Sequence, residues 1–382
     1  MTKTDDEAHE GGIDAEAGAR ANEHTGSAHE GRTRERTQGE RAPREGRRQT
    51  LRDVAAEAHV SIATVSNYLS GYPYMRETTK KRVQQAIDDL GYVVNNAART
   101  LKTGRTGLLT LSVSDLRQAY FAELSERIIA AARYRGYGVL IESTGLNRSR
   151  ELASPTNVLN HATDGLIVSP AMLTERDTEV FAGDYPLVML GVQPFTPDCP
   201  HFVVNNVQAA YDATTHLIAA GCRRIAILGG ELEGRPSSRT ARAEGYRRAI
   251  EDHGMAFDPR LVRPVGDWNG LAGAHAVTAL LDDGLRPDGI VACNDHLAFG
   301  AMRQVKDLGM NIPEDVRVVG FDNIDEARFS IPSLTTVDQS ADAVAIKAVD
   351  SIIAQIEAGH RAPAGLEYVP HRLVYRASSP EA

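Results

Sequence analysis

Cysteine, tryptophan and aromatic residues are scarce in this chain of 382 residues, which contains 3 cysteines, 1 tryptophan and 5% aromatic residues. Cys199, Cys222 and Cys293 form neither a C-x-x-C pair nor an even set. This argues against a disulfide framework and a structural zinc site, and it suits a reducing compartment. None of the 12 histidines stands in H-E-x-x-H or another metal-binding spacing, so we expect no metal and no cofactor.

Long apolar runs are also missing. No segment approaches the roughly 18 apolar residues that a membrane-spanning helix requires. The N-terminus, MTKTDDEAHEGG, lacks the apolar core of a secretory signal. We therefore expect a cytoplasmic protein without a membrane partner.

Patterns typical of enzymes are absent as well. No Ser/His/Asp set or carboxylate pair stands out in the sequence. The glycine-rich segment 229–234 follows a predicted strand, but it lacks the G-x-G-x-x-G order of a nucleotide-binding loop. We therefore expect no catalytic residues, and an α/β enzyme remains a distant alternative.

Basic residues are concentrated in one segment of an acidic chain, whose formal net charge is −9. Residues 47–105 hold 10 Lys/Arg against 5 Asp/Glu, whereas residues 1–46 hold 7 against 11. This distribution predicts that the basic segment meets phosphate. Residues 1–46 contain no aromatic residue and cannot bury a core, which predicts a disordered tail.

The segment 50–69, TLRDVAAEAHVSIATVSNYL, predicts two short helices joined by a tight turn. Thr50 and Asp53 have the spacing of a capping box, and Ser61 can cap the second helix. In this helix-turn-helix pattern the second helix enters the major groove, and its first residues meet base edges. A third helix over 77–90 is predicted to end at Gly91.

The runs TLRDVAAEAHVSIATVSNYLSG and RETTKKRVQQAIDDLGYVVNNAARTLKTGRTG resemble the N-terminal head of the lactose-repressor (LacI) family. The resemblance implies that 95–102 is a hinge helix, contributed by each subunit, that lies in the minor groove and inserts Leu101 between base pairs. The length of the segment and its apolar Leu101 support this interpretation. A helix of about two turns is too short to be stable alone in water, and an apolar wedge can kink the duplex.

The resemblance also assigns a set of candidate DNA contacts, in which Ile62 and Ala63 occupy the variable base-reading positions. Both side chains are apolar, so they can touch a thymine methyl group but cannot form bidentate hydrogen bonds. Asn67 stands where many relatives have arginine. The full set is Thr50, Arg52, Ile62, Ala63, Thr64, Ser66, Asn67, Tyr74, Asn95, Ala98, Leu101 and Lys102.

From Gly107 the sequence alternates apolar runs with amphipathic helices. The alternation predicts parallel sheets with helices on both faces, and its restart after Asn205 predicts two doubly wound subdomains. We expect ligands to bind between them, at the carboxyl ends of the strands, in a cleft that can close like a hinge. Strands are predicted at 108–113, 138–141, 165–168, 187–190, 224–228, 261–265, 289–292 and 316–320.

Aromatic, guanidinium, amide and carboxylate groups follow these predicted strands or stand on the helices after them. Such a set suits a sugar ring, because aromatic rings stack on its apolar face while polar groups bind its hydroxyls. The motifs GDW, NDHLAFGAM, VVGFDN and LTTVDQ resemble those lining the effector pocket of the LacI family. The candidate effector contacts are Tyr120, Phe121, Arg242, Trp268, Asn294, Asp322 and Gln339.

Two readings of the effector remain open. Tyr120 and Phe121, with GFDNIDEARF, are also similar to purine-responsive members of the family, in which aromatic rings sandwich a base. Asn294 is more typical of the sugar-binding members, and we favour a sugar or sugar-like effector over a purine or nucleoside. Asp295 is expected to cap the helix that begins at His296.

The resemblance spans about residues 50–376, and it implies an all-α helix-turn-helix head followed by an α/β periplasmic-binding-protein-like domain of two parallel-sheet subdomains. We expect a transcriptional repressor that binds a pseudo-palindromic operator as a homodimer under the control of the effector; a sugar-binding protein is a distant alternative. No leucine heptads follow Tyr375. The predicted divisions are a tail at 1–46, the head at 47–94, a hinge helix or linker at 95–106, an effector-binding and dimerisation domain at 107–376, and a C-terminal tail at 377–382.

Overall fold

The computed structural model describes residues 49–69, 72–93, 100, 104–193 and 195–381. The predicted tail at 1–46 and the hinge residues Asn95, Ala98, Leu101 and Lys102 lie outside these ranges. The chain divides into two units between Val93 and Val94. We call the described residues up to Val93 the head and those from 104 onward the body. In these ranges no helix is long and apolar enough to cross a membrane.

The head packs its helices around small apolar side chains. Val54, Val65 and Val83, one from each helix, are fully buried. Because these side chains are short, the helices can approach closely. The helices of the described part are α1 (Leu51–Glu57), α2 (Ile62–Leu69) and α3 (Glu77–Leu90).

Local signals in the sequence set the ends of these helices, and the predicted caps are confirmed. Thr50 and Asp53 form a capping box, with the Thr50 amide 2.8 Å from a carboxylate oxygen of Asp53. Ser61 Oγ accepts a hydrogen bond from the Thr64 amide at 3.1 Å and so caps α2. Gly91 ends α3 in the left-handed conformation, with φ of 56°.

The body contains two six-stranded sheets in its described residues. All pairings in the first sheet are parallel, and the sheet packs against a core that includes Leu111 and Ile352. In sheet order, its strands are β11 (Gly365–Val369), β5 (Pro200–Val204), β4 (Leu187–Leu190), β3 (Gly165–Ser169), β1 (Leu108–Val113) and β2 (Gly138–Ser143). With its helices, this sheet forms the N-terminal subdomain.

The second sheet is parallel except for β12, which runs antiparallel to β10. Its core includes Leu228, Ile290 and Phe321. In sheet order, its strands are β12 (Arg372–Val374), β10 (Thr335–Asp338), β9 (Arg317–Asp322), β8 (Gly289–Ala292), β6 (Ile225–Leu228) and β7 (Val262–Arg263). This sheet and its helices form the C-terminal subdomain.

Helices connect the strands in both subdomains, as the alternation in the sequence predicts. The N-terminal subdomain contains α4 (Ala119–Tyr134), α5 (Arg148–Ala153), α6 (Thr156–Leu159) and α11 (Ala341–Ala358). The C-terminal subdomain contains α7 (Asn206–Ala219), α8 (Ser238–Asp252), α9 (Gly270–Asp282) and α10 (Asp295–Asp307). Short 3-10 turns span Glu175–Phe181, Pro259–Leu261 and Asp325–Arg328.

Two sequence-based expectations about local structure are wrong. The strand predicted at 261–265 is only Val262–Arg263, because Pro264 follows and has no amide hydrogen for the sheet. The helix predicted from His296 begins at Asp295, and Asn294 caps it by accepting from the Leu297 amide at 2.8 Å. The Asp295 carboxylate instead accepts from the Ile324 amide at 3.0 Å.

Helices α9 and α10 pack at backbone contact through glycine. A Cβ added to Gly300 would lie 1.7 Å from the carbonyl oxygen of Gly270, and one added to Gly273 would lie 2.2 Å from that of Leu297. No side chain larger than hydrogen fits at these positions without moving a helix. This contact fixes α10, whose N-terminus carries Asn294 and Asp295.

The chain crosses between the two sheets three times in the body. The crossovers lie at Asn205, between β5 and α7, at 339–340, between β10 and α11, and at 370–371, between β11 and β12. Beyond them, Ser378 Oγ donates to the Val318 carbonyl at 2.6 Å, and Ser378 and Ser379 are both buried. Packing on the second sheet therefore extends past residue 376.

Candidate functional site

The head presents the start of α2 to solvent. Ile62 is 44% exposed, although it is a large apolar residue, and Ala63 and Asn67 are also exposed. The inward face of the helix is held by Val65, which is fully buried. The geometry leaves the N-terminal end of α2 free for contacts with another molecule.

The other predicted DNA contacts of the described head differ in their exposure. Thr64 and Ser66 are half-buried, whereas Thr50, Arg52 and Tyr74 are exposed. Tyr74 is 84% exposed, and its ring packs edge-on against Tyr72 with the centroids 5.8 Å apart. An aromatic side chain exposed to this degree is typical of a contact residue and not of a core.

In the body, Arg242 lies at the centre of the predicted effector site and is only 4% exposed. Its Nε donates to Asn206 Oδ1 at 2.8 Å, and its Nη1 donates to the Cys293 carbonyl. The guanidinium carbon is 3.4 Å from the centre of the Phe321 ring. Burial lowers the pKa of Arg242, while the nearby Asp322 carboxylate opposes this shift.

Asp322 lies at the carboxyl end of β9 and is paired with Gln339. Gln339 Nε2 donates to Asp322 Oδ1 at 2.5 Å. Burial raises the pKa of Asp322 to about 7, and the Arg242 charge and the Gln339 hydrogen bond act against that rise. Its φ of 122° lies in a region that non-glycine residues rarely adopt. Strain of this kind is concentrated at functional sites.

The Asn294 side chain joins the two subdomains. Its Nδ2 lies 3.0 Å from Gln118 Oε1, in the N-terminal subdomain, and 3.1 Å from the Trp268 carbonyl. Its Oδ1 is engaged by the helix cap. A ligand that accepts a hydrogen bond from Asn294 Nδ2 would therefore compete with Gln118, a residue that the sequence analysis did not select.

The Trp268 ring packs against two arginines. The guanidinium carbons of Arg239 and Arg242 lie 5.0 and 5.2 Å from the centre of its ring. Arg239 is anchored separately, because its Nη1 donates to the Val265 carbonyl at 2.6 Å. The indole nitrogen is buried without a hydrogen-bond partner among the described atoms.

Tyr120 and Phe121 begin α4 in the N-terminal subdomain, and their rings meet edge-to-face. The ring centres are 5.4 Å apart, and the ring planes are inclined at 67°. Burial raises the pKa of Tyr120, as does the Asp322 carboxylate from the other subdomain. The cleft between the subdomains thus collects aromatic rings, one guanidinium, amides and one carboxylate, a set that can bind a polar ring compound.

A separate cavity of about 610 Å³ lies along α8. It is lined by Val192, Glu231, Thr240, Glu244 and Phe257, among others, and the predicted effector residues do not line it. The site assembled from strand ends and this cavity are therefore different places, and the chemistry described above belongs to the first.

Known proteins resemble the chain over both units. Residues 50–95 match the bacterial regulatory proteins of the lacI family, and residues 214–379 match the periplasmic binding protein-like domain. Catabolite control protein A of Priestia megaterium is 31% identical over 335 residues, which cover 86% of this chain and 99% of that protein.

Solved structures agree in fold. The lac repressor dimer bound to operator and the anti-inducer ONPF is 25% identical and covers 87% of this chain and 100% of its own, with a TM-score of 0.74. A complex of the transcriptional regulator CelR with cellobiose is 27% identical and covers 87% and 100%, with a TM-score of 0.61. The chain therefore belongs to the LacI family of bacterial transcriptional regulators, with a helix-turn-helix head and a body of two parallel-dominated sheets.

Proposed function

We propose that this protein is a homodimeric repressor that binds a pseudo-palindromic operator and responds to a polar, ring-shaped effector, preferably a sugar. The observation that carries the proposal is the pairing of two sites in one chain: an exposed helix end in the head, and a cleft with Arg242, Asp322 and Trp268 in the body. Each residue role below is part of this proposal.

The head reads DNA through α2. Ile62 and Ala63 meet base edges, while Thr50, Arg52, Thr64, Ser66, Asn67 and Tyr74 contact bases or phosphates. Two heads related by two-fold symmetry require an inverted repeat in the DNA. The lac repressor structure is a dimer bound to operator, which supports the same assembly here. Hinge residues Asn95, Ala98, Leu101 and Lys102 complete the interface in the minor groove.

The body supplies a surface for dimer formation. Leu271, Phe329 and Ile331 are large apolar side chains of the C-terminal subdomain, and they are 68%, 75% and 92% exposed. Where exposed apolar side chains form a contiguous patch, a partner usually covers it. A second copy of the chain is the partner that an inverted-repeat operator demands.

The cleft favours a sugar over a purine. Tyr120 and Phe121 meet edge-to-face at 67°, whereas sandwiching a flat base between them would need roughly parallel rings. Asp322, Asn294, Arg242 and Gln339 offer hydrogen-bonding groups that match hydroxyls. A related regulator was solved with cellobiose, which supports this class of effector.

We assign no catalysis to the body and place the protein in the cytoplasm, with the DNA. The carboxylates of Asp322 and Asp295 accept hydrogen bonds from other residues of the body: Asp322 from Gln339, and Asp295 from Ile324 and Thr336. Asp322 can serve a binding function when an effector takes over its hydrogen bond.

Selection of genomic fragments by the purified protein, followed by footprinting, tests the operator assignment. We expect a protected inverted repeat and about the same footprint in each half-site. Leu101→Ala should weaken binding to that repeat while binding to random DNA is retained, because an apolar wedge acts only at a kinked step. Selection that enriches no fragment, with or without cellobiose, would refute the repressor assignment.

The effector class is tested by the same DNA complex. Release of the fragment is titrated with cellobiose, D-glucose and D-galactose on one side and adenine and guanine on the other. A response to sugars alone supports the cleft chemistry, and Arg242→Met or Asp322→Leu should abolish it. A response to the bases alone would reverse the preference for a sugar.

A further inference from the structure

The charged pair of the effector cleft is held by residues of the crossovers between the two sheets. Arg242 and Asp322 each have a hydrogen-bond partner that lies at, or next to, a point where the chain passes from one subdomain to the other. These partners are Asn206 and Gln339. A hinge between two subdomains can only move at its crossovers, so these two contacts connect the cleft to the moving parts.

Asn206 fastens the first crossover to Arg242. The side chain is 7% exposed and stands one residue after Asn205. Its Nδ2 donates to the carbonyl of Val204, the last residue of β5, at 2.9 Å. Its Oδ1 accepts from Arg242 Nε at 2.8 Å. One amide therefore joins the end of a strand of the first sheet to a guanidinium of the second subdomain.

Gln339 fastens the second crossover to Asp322. The side chain is 6% exposed and directly follows β10, the strand adjacent to β9. Its Nε2 lies 2.5 Å from Asp322 Oδ1. Ser340, the next residue, has a φ of 52°, and its amide donates to Asp338 Oδ1 at 2.8 Å. The backbone here is a tight, strained turn, so a displaced Gln339 changes the direction of the chain into α11.

The third crossover is tied to the other two by polar contacts. Arg372 Nη2 lies 2.9 Å from Asp338 Oδ2, and His371 Nε2 lies 2.9 Å from Asp212 Oδ2. Asp338 immediately precedes Gln339, and Asp212 lies on α7, which follows the first crossover. None of these four residues is a candidate effector contact.

We propose that Asn206, as a positioning residue, and Gln339, which is also a candidate effector contact, transmit the state of the cleft to the subdomain hinge. An effector that draws Arg242 or Asp322 into new hydrogen bonds takes them from Asn206 or Gln339, and the corresponding crossover loosens. The inference rests on the proposed function for its biological meaning. The mechanical link itself is a property of the body and is testable without effector or DNA.

Hydrogen–deuterium exchange of the full chain tests the link. Arg242→Met removes the donor to Asn206, and we expect exchange at 205–208 to rise at least tenfold while 339–341 stays unchanged. Asp322→Leu removes the acceptor of Gln339, and the reverse pattern is expected. Arg239→Met is the matched control: it also removes a guanidinium stacked on Trp268, but one bonded to Val265 and Gly266. It should alter neither segment.

A second measurement guards against general loosening of the fold. The Nε–H signal of Arg242 in NMR spectra should lose its protection in Asn206→Leu and keep it in Asn206→Asp, which retains the acceptor oxygen. A merely structural role for Asn206 would affect both variants alike. In Gln339→Met, exchange should rise at 339–341 only.

The outcomes separate the two proposals. Exchange confined to the matching crossover in each variant supports the link, whatever the operator selection finds. Equal exchange in both segments, or none in either, would overturn the link and leave the repressor assignment standing. If the selection finds no operator but exchange rises only at the matching crossover, the repressor assignment is refuted and the link between cleft and hinge remains supported.

Discussion

The Asp322 carboxyl loses its proton at a higher pH than an ordinary aspartate does. Burial raises its pKa to about 7, whereas an aspartate in an unfolded chain has a pKa of about 3.9. Between these values the folded chain binds the proton and the unfolded chain does not. This carboxyl therefore contributes less stability as pH rises from about 4 to 7. Above its folded pKa the loss is complete.

Asp322→Asn should weaken that pH dependence, because asparagine keeps the shape and carries no titrating proton. We expect the free energy of unfolding of the wild type to fall more steeply between pH 5 and 7 than that of the variant. The slope will not vanish, since burial also raises the pKa of Asp295. Urea unfolding at several pH values measures this dependence. Equal slopes of the unfolding free energy against pH in the wild type and the variant would contradict a raised pKa at Asp322.

Ile62 should govern base preference at one operator position. Its side chain is 44% exposed at the start of α2. Ile62→Gln introduces a side chain that pairs bidentately with adenine, and the preference between bases should change by about 1–3 kcal/mol. Ile62→Val keeps the apolar contact and serves as the control. Binding to an operator library is the measurement, and an unchanged base profile would remove Ile62 from the interface.

Residue types at strand ends predicted the polar groups of the cleft, but not their partners. Arg242, Asp322 and Gln339 were selectable because guanidinium, carboxylate and amide groups follow buried runs. The sequence analysis did not select Asn206 or Gln118, because an amide near the start of a helix is usually interpreted as a helix cap. Only the three-dimensional arrangement brings these amides to groups that are 36 and 176 residues away in sequence.

At the scale of elements, α9 and α10 depend on their glycines. Gly300→Ala places a methyl group 1.7 Å from the Gly270 carbonyl oxygen. One helix must then shift, and we expect a loss of about 3 kcal/mol, at the upper end of overpacking costs. Gly365→Ala is the control, because no atom lies within 4 Å of the added methyl group. It should change stability by less than about 0.5 kcal/mol.

Urea denaturation of the two glycine variants measures the difference. A small effect at Gly300 would mean that α10 can move freely relative to α9. In that case the cap at Asn294, which begins α10, would not hold a fixed position in the cleft.

The regular strands were the easiest elements to predict. Buried runs such as Leu187–Leu190 stand out because every residue is apolar. The strand β11, which returns the chain to the first sheet after β10, could not be predicted in this way. Four of the five residues of β11 are exposed, so apolar periodicity gives no signal, and its pairing with β5 joins segments about 160 residues apart.

At the scale of the whole molecule, basic residues are concentrated in one segment of an acidic chain. Residues 47–105 carry the excess of basic residues in a chain whose net charge is −9. An acidic body should repel DNA, so we expect binding to depend on the basic segment. Nonspecific attachment through other surfaces should then be weak.

Operator affinity should therefore depend strongly on salt. A protein that contacts about 6–10 phosphates loses roughly 10³–10⁵-fold in affinity between 50 and 200 mM salt. Arg52→Gln, in the head, should reduce the slope of log affinity against log salt by about 1. Lys347→Gln, in the body and 2.6 Å from Glu367, should leave it unchanged. A slope insensitive to both changes would place the phosphate contacts elsewhere.

Trp268 gives the molecule an intrinsic fluorophore at the proposed effector site. It is the only tryptophan in the chain, its indole nitrogen is buried without a partner among the described atoms, and two guanidinium groups lie over its ring. Indole emission responds to nearby charge and to hydrogen bonding. Fluorescence excited selectively from tryptophan, and not from the 12 tyrosines, therefore originates at Trp268 and can follow events there without an attached dye.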